Sequence, residues 1–165
     1  MCISCSGRIT TSCAATEFSF AHWEKLVWNI PFNGLGVAGA AGYEVVSGAG
    51  CQVSGVGECL TTDKLLADAR WEHLVRELML EVIATANALG LGVSEALAEK
   101  QISRTSTMRP YKASTLLDFE CGRPLELESL FLEPLRQTQG RDVATPRLAS
   151  LCAVLVALDK RRGNL

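Results

Sequence analysis

From Leu74 onward, apolar side chains return at the spacing of an α-helix. Leu74, Leu78, Val82, Ala86 and Leu89 share one face, and Leu148, Leu151, Leu155 and Leu158 share another near the C-terminus. Around these two anchors the chain punctuates itself as helices. A Thr/Asp start at Thr61 or Thr62 and a stop at Gly90 predict one long amphipathic helix. Ser94 is placed as an N-cap for the next, with Glu95 in its first turn, and Arg109–Pro110 closes that unit. "KASTLLDFECG" predicts a short helix stopped by Gly122. Pro124 suits the first position of a further helix through "LELESLFLEPLRQTQ", which Pro134 would kink. Thr145 can cap a last helix beginning at Pro146, whose "DKRR" end suits the helix dipole. The expected class is all-α, in one domain: at 165 residues roughly 70% of the unfolded surface can be buried.

Two regions break the pattern. Residues 1–20 are rich in Ser, Thr and Cys and are expected to be an irregular lead-in to a helical domain over 21–165. Residues 34–60 hold eight of the 14 glycines and are expected to be a loop with at most short helical pieces. Within that stretch "GLGVAG", Gly34 to Gly39, matches the GxGxxG dinucleotide pattern. The pattern needs a buried strand before it and a continuous helix after it. Here the would-be strand contains Asn29 and Pro31 and the would-be helix contains Gly42, Gly48 and Gly50, so no Rossmann unit is expected.

Net charge is −2 and charged residues are 21%, which leaves no electrostatic footprint for nucleic acid. No run approaches 18 apolar residues and the start lacks a signal-like block, so no membrane span and a cytoplasmic setting are expected. The seven cysteines are an odd set without regular spacing and are expected to be free thiols. Cys2 and Cys5 form a CxxC without a partner pair, and His22 and His73 stand alone, so no metal is expected.

The chemistry-bearing feature is "KLVWNIPFN". If it is helical, Lys25, Asn29 and Asn33 form one stripe that drifts only about 80° over two turns. A lysine and two amides among Leu26, Val27, Trp28, Ile30 and Phe32 must meet water, partner groups or a ligand, because an unpaired buried polar group costs several kcal/mol. Spacing alone leaves both a solvent-facing stripe and a site open.

A second cluster extends the first: Ser114, four residues before Asp118, then Gly122, Arg123 and Pro124, with Glu126 eight residues after the aspartate. With Trp23, Lys25, Leu26, Asn29 and Asn33 ahead of it and "VATPRL" before the last helix, this resembles the ketopantoate reductase family, specifically its helical C-terminal domain, of the 6-phosphogluconate dehydrogenase C-terminal-like kind. The resemblance covers about residues 23–37 and 61–161. It implies NADPH-dependent reduction of 2-dehydropantoate (ketopantoate), or a similar 2-keto acid, as in pantothenate biosynthesis. It implies Lys25 as the general acid, Asn29 and Asn33 as substrate-pocket amides, Ser114 as a contact to the substrate carboxylate, and Glu126 as a group positioning substrate and cofactor. Asp118 and Arg123 have structural readings instead.

Two departures touch the substrate: Tyr111 stands where the family often carries a substrate-binding asparagine, and Leu132 where a glycine is usual. A third concerns the cofactor, since the Rossmann domain that opens the family's chains has no counterpart in this sequence. The resemblance thus implies a substrate-binding and dimerisation domain that is inactive unless a nucleotide-binding domain is supplied, with a homodimer or a separate Rossmann-domain chain as the expected partner. The rival expectation is a non-catalytic helical assembly module derived from the same fold.

Overall fold

The computed structural model describes residues 10–50, 52–53 and 55–163, and no strand occurs among them. The central element is α1 (Thr10–Ala38), about 43 Å long at the usual rise. From Pro31 to Ala38 every residue is buried, so this half of the helix is surrounded on all sides. Around it pack α3 (Thr62–Ala67), α4 (Ala69–Ala88), α5 (Ala96–Ser106), α6 (Ser114–Glu120) and α8 (Pro146–Gly163). A 3₁₀ turn (Gly39–Ala41) and the short α2 (Tyr43–Val46) follow α1, and a π-helical turn (Glu128–Leu132) leads into α7 (Glu133–Gln137). The core joins Ile30, Phe32, Leu35, Leu78, Met79, Ile83, Phe131, Leu148, Leu151 and Leu155, all at most 1% exposed. That apolar mass is what orders the helices, since isolated helices of these lengths are marginal in water.

The all-α expectation holds, with local corrections. The lead-in is not irregular throughout: α1 begins at Thr10, while residues 1–9, with Cys2 and Cys5, lie outside the described residues. The glycine-rich segment is not loop from Gly34, because α1 runs on through "GLGVA". The reason is close packing. A Cβ on Gly34 would stand 2.6 Å from Leu151 Cδ2 and 2.9 Å from Phe131 Cε1, and one on Gly39 would stand 2.6 Å from Leu60 Cγ. The helical propensity forfeited at each glycine, about 1 kcal/mol, is offset by neighbours seated against bare backbone. The Leu60 amide also donates to the Gly36 carbonyl at 2.8 Å.

The long helix expected from Thr62 to Gly90 is two. Asp68, at φ −101°, ψ 119°, breaks it and caps α4 by accepting from the Arg70 amide at 2.9 Å. At the other end Gly90, at φ +83°, lets Leu91 N–H reach the Ala86 carbonyl (3.1 Å) while its own N–H reaches Asn87 (2.9 Å), a Schellman stop. Pro124 does not open a helix; residues 123–126 are non-helical, and the π turn begins just beyond. Pro134 sits in the first turn of α7, after that turn, where the missing N–H is no loss. Thr145 makes no cap for α8. Glu81 of α4 does so instead, accepting from the Arg147 and Leu148 amides at 3.0 and 2.8 Å. Ser94 is not the N-cap of α5: that position is Glu95, which makes no side-chain cap, and Ser94 Oγ, one residue earlier, accepts from the Ala96 amide at 3.3 Å.

Candidate functional site

Lys25 and Asn29 lie on the α1 face that meets α5, and between the two helices runs an open cleft of about 700 Å³. The α1 wall is Ala21, Glu24, Lys25, Trp28 and Asn29; the α5 wall is Leu97, Lys100, Gln101 and Arg104, extended by Met108 and closed by Tyr111. Both sets follow the three-and-four spacing of one helical face. The walls are tied together: Trp28 Nε1–H donates to Thr105 Oγ1 at 2.9 Å, and that hydroxyl donates to the Gln101 carbonyl at 2.7 Å. Trp28 also leans on Phe32, ring centroids 5.0 Å apart, and on Tyr111 at 6.2 Å. Tyr111 is held by its backbone, which accepts from the Thr62 amide (3.1 Å) and donates to Thr62 Oγ1 (3.3 Å).

Two turns along α1 from Lys25, Asn33 is buried at 4% exposure. Its Oδ1 accepts from Ser114 Oγ at 3.3 Å and from the Thr115 amide at 3.2 Å. A backbone amide can only donate, so the atom facing Thr115 is the oxygen and the amide orientation is settled. The two motifs separated by 80 residues of sequence thus meet at the first turn of α6, beyond Tyr111. Ser114 itself is exposed.

The structure therefore divides the expected site. Lys25, exposed, and Asn29, half-buried, line the cleft; Asn33 and Ser114 pair with each other beside α6 and do not line it. Glu126 is exposed on the segment between α6 and the π turn, also outside the cleft lining. Asp118 and Arg123 take the structural role: the Arg123 guanidinium meets the Asp118 carboxylate at 2.7 Å, and its amide donates to the Asp118 carbonyl at 2.8 Å. Lys100, Gln101 and Arg104 are cleft residues that motif reasoning passed over. Their signal was the i, i+1 and i+4 placement on the polar face of an amphipathic helix, which says nothing about which neighbour that face will meet.

Electrostatically the cleft is uneven. Among the described residues Lys25, Lys100 and Arg104 have no ion-pair partner, as Arg109, Arg141, Lys160, Arg161 and Arg162 have none, whereas Lys64, Arg70, Arg76, Lys112, Arg123, Arg136 and Arg147 each hold a carboxylate. Glu24 is the one carboxylate in the lining. No cluster of three or more metal-ligating side chains occurs among the described residues; His22 is exposed, and His73 lies 3.7 Å from Glu77. No helix of the described residues is long and apolar enough to cross a membrane.

The glycine segment does not form a dinucleotide-binding turn. The "GLGVAG" segment is the end of a buried helix, and the faces its glycines leave bare are filled by Leu151, Phe131, Leu60 and Leu116.

Comparison with known proteins agrees with this fold. Residues 44–159 match the model of the ketopantoate reductase PanE/ApbA C-terminal family. A 2-dehydropantoate 2-reductase from Nostoc sp. is 34% identical over 145 residues, which are 88% of this chain and 40% of that protein. Among solved structures, 2-dehydropantoate 2-reductases from Methylococcus capsulatus and Geobacter metallireducens are each 35% identical, with TM-scores of 0.70 and 0.68. They cover 88% and 84% of this chain, which spans 40% of each of theirs. The chain is thus similar to less than half the length of these relatives, over their helical C-terminal part. With its helices, its cleft and its paired motifs in place, it belongs to the ketopantoate reductase family through that C-terminal domain.

Proposed function

We propose that these residues form the substrate half of a 2-keto acid reductase, with Lys25 as the proton donor to the carbonyl oxygen of ketopantoate or a close branched analogue. The observation that carries this reading is Lys25 without a carboxylate partner in a cleft beside Asn29, on the stripe whose next member, Asn33, is tied to Ser114. An ammonium in that place can stabilise an oxyanion growing on the carbonyl and release a proton to it. Asn29 is within the same lining and can orient the keto acid. Asn33 and Ser114 contribute through the α6 N-terminus they fix, and Glu126 would act from the rim. Hydride would come from an NADPH-binding unit outside the described residues, on a Rossmann domain.

The test is NADPH oxidation with ketopantoate by the chain combined with a family Rossmann domain. We expect turnover in the combination, and a loss of about 10²–10⁴-fold in kcat for Lys25→Ala, the range of one general acid. Undiminished turnover in that variant would remove Lys25 from the reaction. Self-association of the chain with no response to any keto acid would favour the assembly-module reading instead.

A further inference from the structure

We infer that Tyr111 makes this site selective for 2-keto acids whose branched side chain is wholly apolar: its ring, with Trp28 and Met108, forms the wall that this side chain meets. The inference rests on the keto-acid reading above and deepens it by naming the substrate class. Tyr111 is placed through its backbone, whose carbonyl accepts from the Thr62 amide at 3.1 Å and whose amide donates to Thr62 Oγ1 at 3.3 Å. Thr62 itself is buried, so this anchor is firm. The ring it holds stays 44% exposed, and its hydroxyl has no hydrogen-bond partner among the described residues. Trp28 is fixed as well, donating to Thr105 Oγ1 at 2.9 Å, with its ring centroid 6.2 Å from that of Tyr111. Of the five large apolar side chains left exposed among the described residues, Met108 and Tyr111 are the two that line this cleft.

A fixed apolar wall beside polar groups sorts the parts of a keto acid. Lys25 and Asn29, one turn apart on α1, take the carbonyl end in the reading above, and Ser114 keeps the carboxylate contact that the resemblance implies. Tyr111 precedes Ser114 by three residues, at most about 10 Å of chain, and shares the cleft with Lys25. Its ring therefore stands beside the body of a bound acid and not at its charged end. A methyl group against Trp28, Met108 and Tyr111 gains contact, whereas a hydroxyl there gives up water. The Tyr111 hydroxyl is the one free donor on this wall, because the Trp28 indole N–H is taken by Thr105. An apolar pocket disfavours an added hydroxyl by up to about 10²-fold, while a site built to hydrogen-bond a hydroxyl rejects the analogue lacking it by about 10⁴–10⁵. The sign of the discrimination thus separates the two kinds of site.

The experiment follows the Trp28 indole N–H resonance, assigned through Trp28→Phe, while the chain is titrated with ketopantoate or with 3,3-dimethyl-2-oxobutanoate. The two acids share charge, carbonyl and branching and differ only in the 4-hydroxyl. We expect saturable shifts with both and about 10–100-fold tighter binding of the acid without the hydroxyl. Tyr111→Phe should keep that ratio within about threefold, since the ring is retained. Tyr111→Asn, which puts an amide donor and acceptor in place of the ring, should cancel or reverse it. A variant that merely loosened the cleft would weaken both acids alike, so the ratio reads the wall and thermal unfolding reads the fold. Tighter binding of ketopantoate by wild type, a Tyr111→Phe that behaves as Tyr111→Asn, or an unchanged ratio in Tyr111→Asn would overturn the assignment. So would the absence of any Trp28 shift. The Lys25 reading stands or falls separately, on the turnover of Lys25→Ala with the Rossmann partner.

Discussion

At Asn33 and Glu81 single polar side chains satisfy backbone amides of helices far away in sequence, and each has a measurable consequence. Asn33→Ala would leave the Thr115 amide and Ser114 hydroxyl without their acceptor beside the core, at a cost of about 1–3 kcal/mol in denaturant unfolding. Asn33→Asp keeps an accepting oxygen and should lose less. Glu81 caps α8, yet burial pushes its carboxyl above the ordinary value of 4.5, with the Arg147 and Leu148 amides pulling the other way. A raised value means that the native state holds the proton more tightly than the unfolded chain. The contribution of this group therefore declines as pH rises from 4.5 through the higher folded value. Melting temperatures of wild type and Glu81→Gln across that window should show the wild-type advantage shrinking with rising pH; a growing advantage would refute the sign.

Among the helices, α1 carries both the core and the cleft, and its glycines are a packing device. Gly34→Ala adds a helix-favouring methyl, but that methyl would land 2.6 Å from Leu151, which is fully buried. Overpacking of about 1–3 kcal/mol should outweigh a propensity gain of about 1 kcal/mol, so the variant should melt lower. Gly42→Ala probes a different cause. Nothing lies within 4 Å of its Cβ, but φ is +90°, and the cost of about 1–2 kcal/mol would come from backbone strain alone. Together the two variants separate crowding from conformation. The same helix explains why an apolar run carries a polar stripe: Lys25 meets open water at the cleft, while Asn33, two turns on, meets α6.

Over the whole molecule, the described thiols should report how the fold opens. Cys121 is exposed, Cys59 is half-buried with its thiol pushed up to about 11 by burial, and Cys152 is buried with its thiol pushed up to about 12 for the same reason. Cys152 Sγ–H also donates to the Phe131 carbonyl at 3.5 Å, which joins α8 to the π turn. Iodoacetamide should label Cys121 first and Cys152 last, at a rate that follows the opening of the core rather than local fraying. Peptide mass analysis over time would show the order, and early labelling of Cys152 would mean that α8 detaches on its own.

Much of this molecule was legible in the chain itself, because helical periodicity, caps and glycine stops are local properties. The all-α class, the helix at Leu74–Leu89, the last helix from Pro146 and the stop at Gly90 follow from neighbours within a few residues of each other. The Asn33 and Ser114 motifs were also visible, and so was the polar stripe. What only tertiary structure decided involves partners far apart: that "GLGVAG" is helical because Leu151, Phe131 and Leu60 fill the space of its missing side chains, and that Glu81 rather than Thr145 caps α8. It also decided that Lys25 looks across at Lys100 and Arg104 while Glu126 stays outside the cleft. Local spacing sets which side chains share a helix face. Which faces meet is set by the burial of a common core, a sum over contacts between segments that no short window of sequence contains.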